Sequence, residues 1–230
     1  MSEEKRFTFG LNLDDYYFES RQCVSCHNCR WIDFNYVPGL DFSWRCPPWQ
    51  YEQFDAYGLE GKTRIAHDLM TGKLDWSDPQ LRDIVYRDTL CGACHVGCNR
   101  NLDLEYQTML EALRARMVEK GYGPMPEHVE VTKRIEETAN PFGKDRAKRW
   151  DWLPTEVKPA AKADILYFAG CRTSFTDPDV GKATVRILNA ANVPFMVLKD
   201  EPCCGYPVYE TGQVEKARKM AEQNLKLFRD

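Results

Sequence analysis

The sequence predicts a mixed α+β or α/β protein: a helical, cysteine-rich domain over residues 1–140, a linker over 141–163, and a partial α/β module with parallel strands over 164–230. Three observations carry that expectation. Apolar residues in the first part recur at helical spacing between groups of cysteines. Prolines then interrupt every period, and beyond them the pattern runs strand, helix, strand, helix, the order that builds a parallel sheet with right-handed crossovers. A chain of 230 residues has room for two modest cores, and 43% hydrophobic with 29% charged residues is the composition of a globular protein.

Phe7, Phe9, Leu11 and Leu13 alternate with polar residues, as in a short strand or an extended arm. From Trp31 to Tyr57 the chain is dense in aromatics (Phe34, Tyr36, Phe42, Trp44 and Trp49 among them), while Pro38-Gly39 and Pro47-Pro48 break any long element. This predicts a loop whose rings either fill a small core or keep water from a bound group. Residues 63–70 and 79–88 read as short helices, the second with Ser77 as its cap and Pro79 in its first turn. Over 104–120, Tyr106, Met109, Leu110, Leu113 and Met117 form one stripe that stops at Gly121, and a further helix covers 127–138. Pro141, Pro154 and Pro159 mark the linker, which also holds Trp150 and Trp152. Residues 164–169 are a continuous apolar run of buried-strand type and 195–198 a second short strand, each followed by a helix, over 179–191 and 213–228.

The start, Met1-Ser2-Glu3-Glu4-Lys5-Arg6, shows neither a secretory signal nor a membrane span, so a cytoplasmic chain is expected, at most peripheral to a membrane complex. A net charge of -4 gives no general attraction to nucleic acid or anionic lipid. No glycine loop for a nucleotide or flavin phosphate is present. Ten cysteines in a reducing compartment are metal ligands or catalysts before they are disulfides.

Their spacing separates those roles. Cys23, Cys26 and Cys29 stand two residues apart in one loop, and such a loop can take three corners of a [4Fe–4S] cube, whereas a zinc ribbon uses two pairs of thiolates. Cys46-Pro47 carries the ferredoxin proline, but sixteen residues separate it from Cys29, leaving open which cluster it serves. Cys91, Cys94 and Cys98 form the second group. Two cubes held only by cysteine need eight thiolates and seven stand before the linker, so one or two clusters are expected, with His27, His95 and Asp103 as nearby non-thiol groups. Two helices flanking two cysteine loops is the outline of an alpha-helical ferredoxin.

The third group is Cys171 and, after 31 residues, Cys203-Cys204-Gly205. On the strand reading all three thiols fall on one rim of the sheet, where open α/β folds bind ligands. They then hold a further iron–sulfur centre or zinc, or else are inert thiols in a tight turn stiffened by Pro202 and Pro207.

This order of cysteine groups resembles the heterodisulfide reductase-related iron–sulfur proteins, across most of residues 20–215. That group takes in the D-type and fused C/B-type subunits, the glycolate oxidase and anaerobic glycerol-3-phosphate dehydrogenase iron–sulfur subunits, and the lactate-utilisation proteins. The resemblance implies a first domain that wires electrons through two cubanes, and a CCG module that holds a catalytic iron–sulfur centre or a structural metal. It implies an electron-transfer subunit working with a partner, such as a flavoprotein or a quinone-linked membrane subunit. In the family a C-x-x-C pair follows the CCG element and the module occurs twice. Here 25 residues follow Gly205 without a cysteine, which suggests an amino-terminal fragment or a split subunit and tells against disulfide-reducing catalysis by this chain alone. Two alternatives remain at this stage: a zinc-stabilised interaction module without redox activity, and a free thiol oxidoreductase using Cys203 and Cys204.

Overall fold

The computed structural model describes residues 11–31, 43–98 and 104–229; Phe7, Phe9, Phe34, Tyr36, Pro38-Gly39, Phe42 and the ligand candidate Asp103 lie outside them. The chain divides into two units, Met1–Met125 together with Glu210–Gln213, and Pro126–Tyr209 together with Val214–Asp230.

In the first unit Leu13 opens a 3-10 turn, Leu13–Tyr16, rather than an extended arm, because the Asn12 side chain accepts from the Asp14 N–H and caps it. Helices α1 (Tyr17–Gln22), α2 (Pro47–Glu52), α3 (Leu59–Met70), α4 (Pro79–Tyr86), α5 (Ala93–Val96) and α6 (Tyr106–Glu119) follow. The predicted stripe of α6 is its buried face: Tyr106, Met109, Leu110, Leu113 and Met117 are each at most 3% exposed, packed with Leu13, Leu59, Ala66, Leu81 and Val85. Gly121, at φ +82°, ends that helix in a Schellman turn, with Tyr122 N–H bonded to Met117 O at 2.9 Å and Gly121 N–H to Val118 O at 3.0 Å. Asp78, not Ser77, caps α4, accepting from Gln80 N–H at 2.9 Å, while Ser77 is taken up by Asp75. The buried Arg114 donates to the last carbonyls of the α4 region, Val85, Tyr86 and Asp88, groups that a helix end would otherwise leave unpaired.

The second unit holds α7 (Pro126–Thr138), α8 (Gly170–Phe175), α9 (Pro178–Ala190), α10 (Tyr206–Tyr209) and α11 (Val214–Arg229). Its apolar clusters gather around Ile135, Cys171, Cys203, Val208 and Ala217, and around Trp152, Val157, Val185 and Phe195. Arg149 and Glu201, both without solvent exposure, form an ion pair at 3.0 Å.

The expected α+β or α/β class is overturned. Among the described residues there is no strand and no sheet. The two predicted parallel strands shrink to a single bridge, Leu166 to Met196, with Tyr167 N–H to Met196 O and Met196 N–H to Ile165 O, both 2.9 Å. A fully apolar run extends as a parallel strand only when both its faces are covered. Ile165 is 44% exposed, and the run turns at Gly170, φ +77°, straight into α8. Among the described residues no helix is long and apolar enough to cross a membrane.

Candidate metal centres

The seven amino-terminal thiols gather in two pockets. Cys23, Cys26, Cys29 and Cys98 line the first, with His27, Glu60 and Tyr106; Cys46, Cys91 and Cys94 line the second, with Asp88 and Gln107. Each pocket therefore borrows from the other's sequence group: Cys98 crosses to the first loop and Cys46 to the second.

Local backbone explains both loops. After α1 the first loop places Ser25 (φ +53°) and His27 (φ +65°) in the left-handed region, which non-glycine residues rarely enter. Left-handed residues alternating with ordinary ones curl a chain into a concavity lined by N–H groups, the form that receives anionic sulfides. Arg30 N–H bonds back to His27 O at 2.9 Å. An antiparallel bridge between Trp31 and Trp44, with Arg45 N–H to Arg30 O at 2.8 Å, then brings the chain back beside this loop, so the sixteen-residue insertion delivers Cys46 next to it. In the second loop Leu90 (φ +48°) and Gly92 (φ +71°) make the equivalent turn before the single helical turn α5, which carries Cys94.

Charge is buried at both pockets. Glu60, 3% exposed, accepts from the Cys29 thiol at 3.4 Å and is paired with Arg30, which also reaches Asp55 at 2.8 Å and lies over the Trp49 ring. His27, Asp55 and Glu60 lie close enough together to hold a single ion, but the Arg30 guanidinium already sits on both carboxylates. At the second pocket Lys62, fully buried, donates to Asp88 Oδ2 at 2.7 Å and to Tyr57 O at 2.5 Å, while Leu90 N–H holds Asp88 Oδ1 at 2.7 Å. Burial pushes the Cys29 thiol up to about 12, helped by Cys94 and Cys23; burial pushes Cys94 up to about 12 as well, with the Asp88 carboxylate the next cause. Cys46 is raised by burial too, against the pull of Lys62.

In the second unit Cys171, Cys203 and Cys204 come together without the sheet that was to align them. Cys171 sits at the start of α8 and shares a thiol hydrogen bond with Cys203, which also bonds Cys204. That bond, and then Arg149, whose guanidinium lies 3.5 Å from Cys171 Sγ, lower Cys171 to about 7 against its burial; Cys203 is raised, because as the donor it keeps its proton. Glu201 orients Arg149 and accepts from the Ala169 and Gly170 N–H groups at 2.7 and 2.9 Å. An open cavity of about 740 Å³ beside Cys203 is rimmed by Arg146, Lys216, Lys219 and Lys226.

His95 lines neither amino-terminal pocket, and His27 lines the one that already has four thiols. The groups that sequence reasoning missed are Glu60, Lys62, Asp88, Arg149 and Glu201. Only Asp88 left a trace in the sequence, standing three residues before Cys91.

Residues 165–230 match the CCG cysteine-rich domain. The D-type subunit of the dihydromethanophenazine:CoB–CoM heterodisulfide reductase of Methanosarcina barkeri is 31% identical over 88% of this chain and 50% of its own length. An uncharacterized iron–sulfur protein of Methanococcus maripaludis is 26% identical over 90% of this chain and 39% of its own. The B-type subunit of the fumarate reductase (CoM/CoB) of Methanothermobacter marburgensis is 30% identical over 61% of this chain and 28% of its own. The chain spans about half the length of the D-type relatives it matches. No solved structure matches it. The chain carries a CCG cysteine-rich domain and is homologous to the D-type heterodisulfide reductase subunits and related iron–sulfur proteins.

Proposed function

We propose that the chain is the electron-transfer part of a heterodisulfide reductase-like oxidoreductase. On this reading Cys23, Cys26, Cys29 and Cys98 hold one [4Fe–4S] cluster, and Cys46, Cys91 and Cys94 hold a second iron–sulfur cluster. The observation that carries it is the crossing of the two cysteine groups into a four-thiol and a three-thiol pocket. A zinc site has no use for a third cysteine in the same short loop, whereas paired clusters exchange their last ligands in this way.

The donor set fits the group: soft thiols at every corner named, on loops curled by left-handed residues. Bound there, iron–sulfur clusters supply one-electron transfer at potentials set by nearby charge and hydrogen bonds. The chain's own residues bind them and exclude water, with Tyr106 and Leu110 buried against the two pockets and Glu60 and Lys62 fixing the local charge.

The CCG thiols Cys171, Cys203 and Cys204 form the other end of the route, a partial ligand set for a further iron–sulfur centre or zinc. The relatives' names as reductase subunits support a partner, either a flavoprotein or a quinone-linked subunit, that supplies or accepts the electrons.

Anaerobic purification tests this through iron and acid-labile sulfide analysis and electron paramagnetic resonance of the dithionite-reduced protein. The expected result is a brown protein with sulfide matching iron and a reduced-state cluster signal. Colourless protein with bound zinc and no sulfide ends the redox reading and leaves a zinc-stabilised module.

A further inference from the structure

We propose that the second pocket binds its cluster through only three thiolates and that the Asp88 carboxylate is the ligand of the fourth iron. This rests on the iron–sulfur reading above and goes beyond it by naming the odd corner.

The first pocket needs nothing more, since its four thiols close a cube. The second has three, and among the described residues lining it Asp88 alone carries an anionic oxygen donor. Asp88 lines the pocket together with Cys46, Cys91 and Cys94. Its carboxylate is fixed, Oδ2 by Lys62 at 2.7 Å and Oδ1 by Leu90 N–H at 2.7 Å, and each carboxylate oxygen keeps a lone pair for a metal.

A second observation is independent of the charges. Three residues beyond Cys94, where an evenly spaced loop would carry its third thiol, the chain has Gly97, and a side chain there would collide with the Arg45 guanidinium and come within 2.9 Å of the Ala93 carbonyl. The place of a third thiol is thus taken by a glycine with the Arg45 guanidinium against it. Iron held by a carboxylate in an otherwise sulfur-bound cluster is held by a harder, weaker donor, and it is the iron that leaves first.

The test uses the anaerobically reconstituted protein, treated with ferricyanide and a chelator. Ferricyanide takes one electron from the second cluster and one iron(II) departs to the chelator, leaving a three-iron core. The expected result is a three-iron resonance in the oxidised protein that disappears when iron(II) and dithionite are returned. Asp88→Cys supplies the fourth thiolate and should abolish that resonance, whereas Asp88→Asn should show the three-iron form before any oxidant is added.

Asp88 also pairs with a buried lysine, so folding of each variant is checked by circular dichroism and by the reduced-state signal of the first pocket. A second measurement needs no variant: isotopically enriched iron(II) returned with dithionite to the oxidised wild type should show the Mössbauer isomer shift of an oxygen-bound site. A thiolate-like shift, or two clusters unmoved by ferricyanide, overturns the assignment of Asp88 and leaves the wider reading intact. Failure to form any cluster overturns both.

Discussion

The two pockets of the first unit share helix α6 and differ in which charged residue of α3 reaches their sulfurs. Helix α3 supplies both charges: Glu60 touches Cys29, and two residues on, about 200° round the helix, Lys62 acts on Cys46 and Cys94. Glu60 is answered by Arg30 and Lys62 by Asp88, so neither charge is buried alone. A carboxylate against a cluster favours its oxidised state and an ammonium favours its reduced state. One helix thus brings a carboxylate to the first pocket and an ammonium to the second, each inside an ion pair.

Removing thiols tests the pairing most severely. Cys98→Ser should lose the same spectroscopic signal as Cys26→Ser, and Cys46→Ser the same signal as Cys91→Ser, each with about half the bound iron gone. If Cys46→Ser and Cys26→Ser extinguish one signal between them, the crossing of ligands is wrong and the pockets are not separate sites.

Smaller effects come from the charges. Lys62→Met strips the partner from Asp88 in a buried pair and should cost about 3–5 kcal/mol in urea unfolding. Glu60→Gln should cost about 3 kcal/mol, the low end of that range, because Asp55 still holds Arg30 at 2.8 Å. In the loaded protein the same variants should move the potentials in opposite directions, Lys62→Met lowering that of the second cluster and Glu60→Gln raising that of the first. Redox titration followed by paramagnetic resonance reads both, and movement in the same direction would remove the contrast between the pockets.

The sequence made the local features legible and left the tertiary ones hidden. The first cysteine loop, the stripe of α6 and its stop at Gly121 are written in spacings of two to four residues, and all are found. Glu60-Gly61-Lys62 stands just before the helix expected over 63–70 and carries no signal of its own; only the extension of α3 to Leu59 and its burial bring these two charges to the pockets. Arg149 lies 22 residues before Cys171, and no periodicity links them. The strands at 164–169 and 195–198 failed for a related reason: an apolar run signals burial, but whether it becomes a strand depends on neighbours that the run does not encode. The convergence of Cys171 and Cys203 survives that failure, because one parallel bridge is enough to bring the two segments side by side.

The mildest expected effect treats the two pockets alike, and so checks that protonation of a buried thiol is common to both and does not separate them. Burial pushes one thiol in each, Cys29 and Cys94, up to about 12, so in the metal-free chain both hold their protons at neutral pH. A thiol must give up its proton to bind a metal, so loading releases protons and affinity rises with pH throughout the range below about 12. Each proton released contributes about 1.4 kcal/mol per pH unit. Cobalt(II) titration of metal-free protein, followed by its thiolate charge-transfer band, should therefore show binding that weakens on acidification, and Cys98→Ser and Cys46→Ser, each leaving one pocket intact, should show similar slopes. A pocket whose affinity stayed flat with pH would contain thiolates already formed, and protonation would then separate the two pockets.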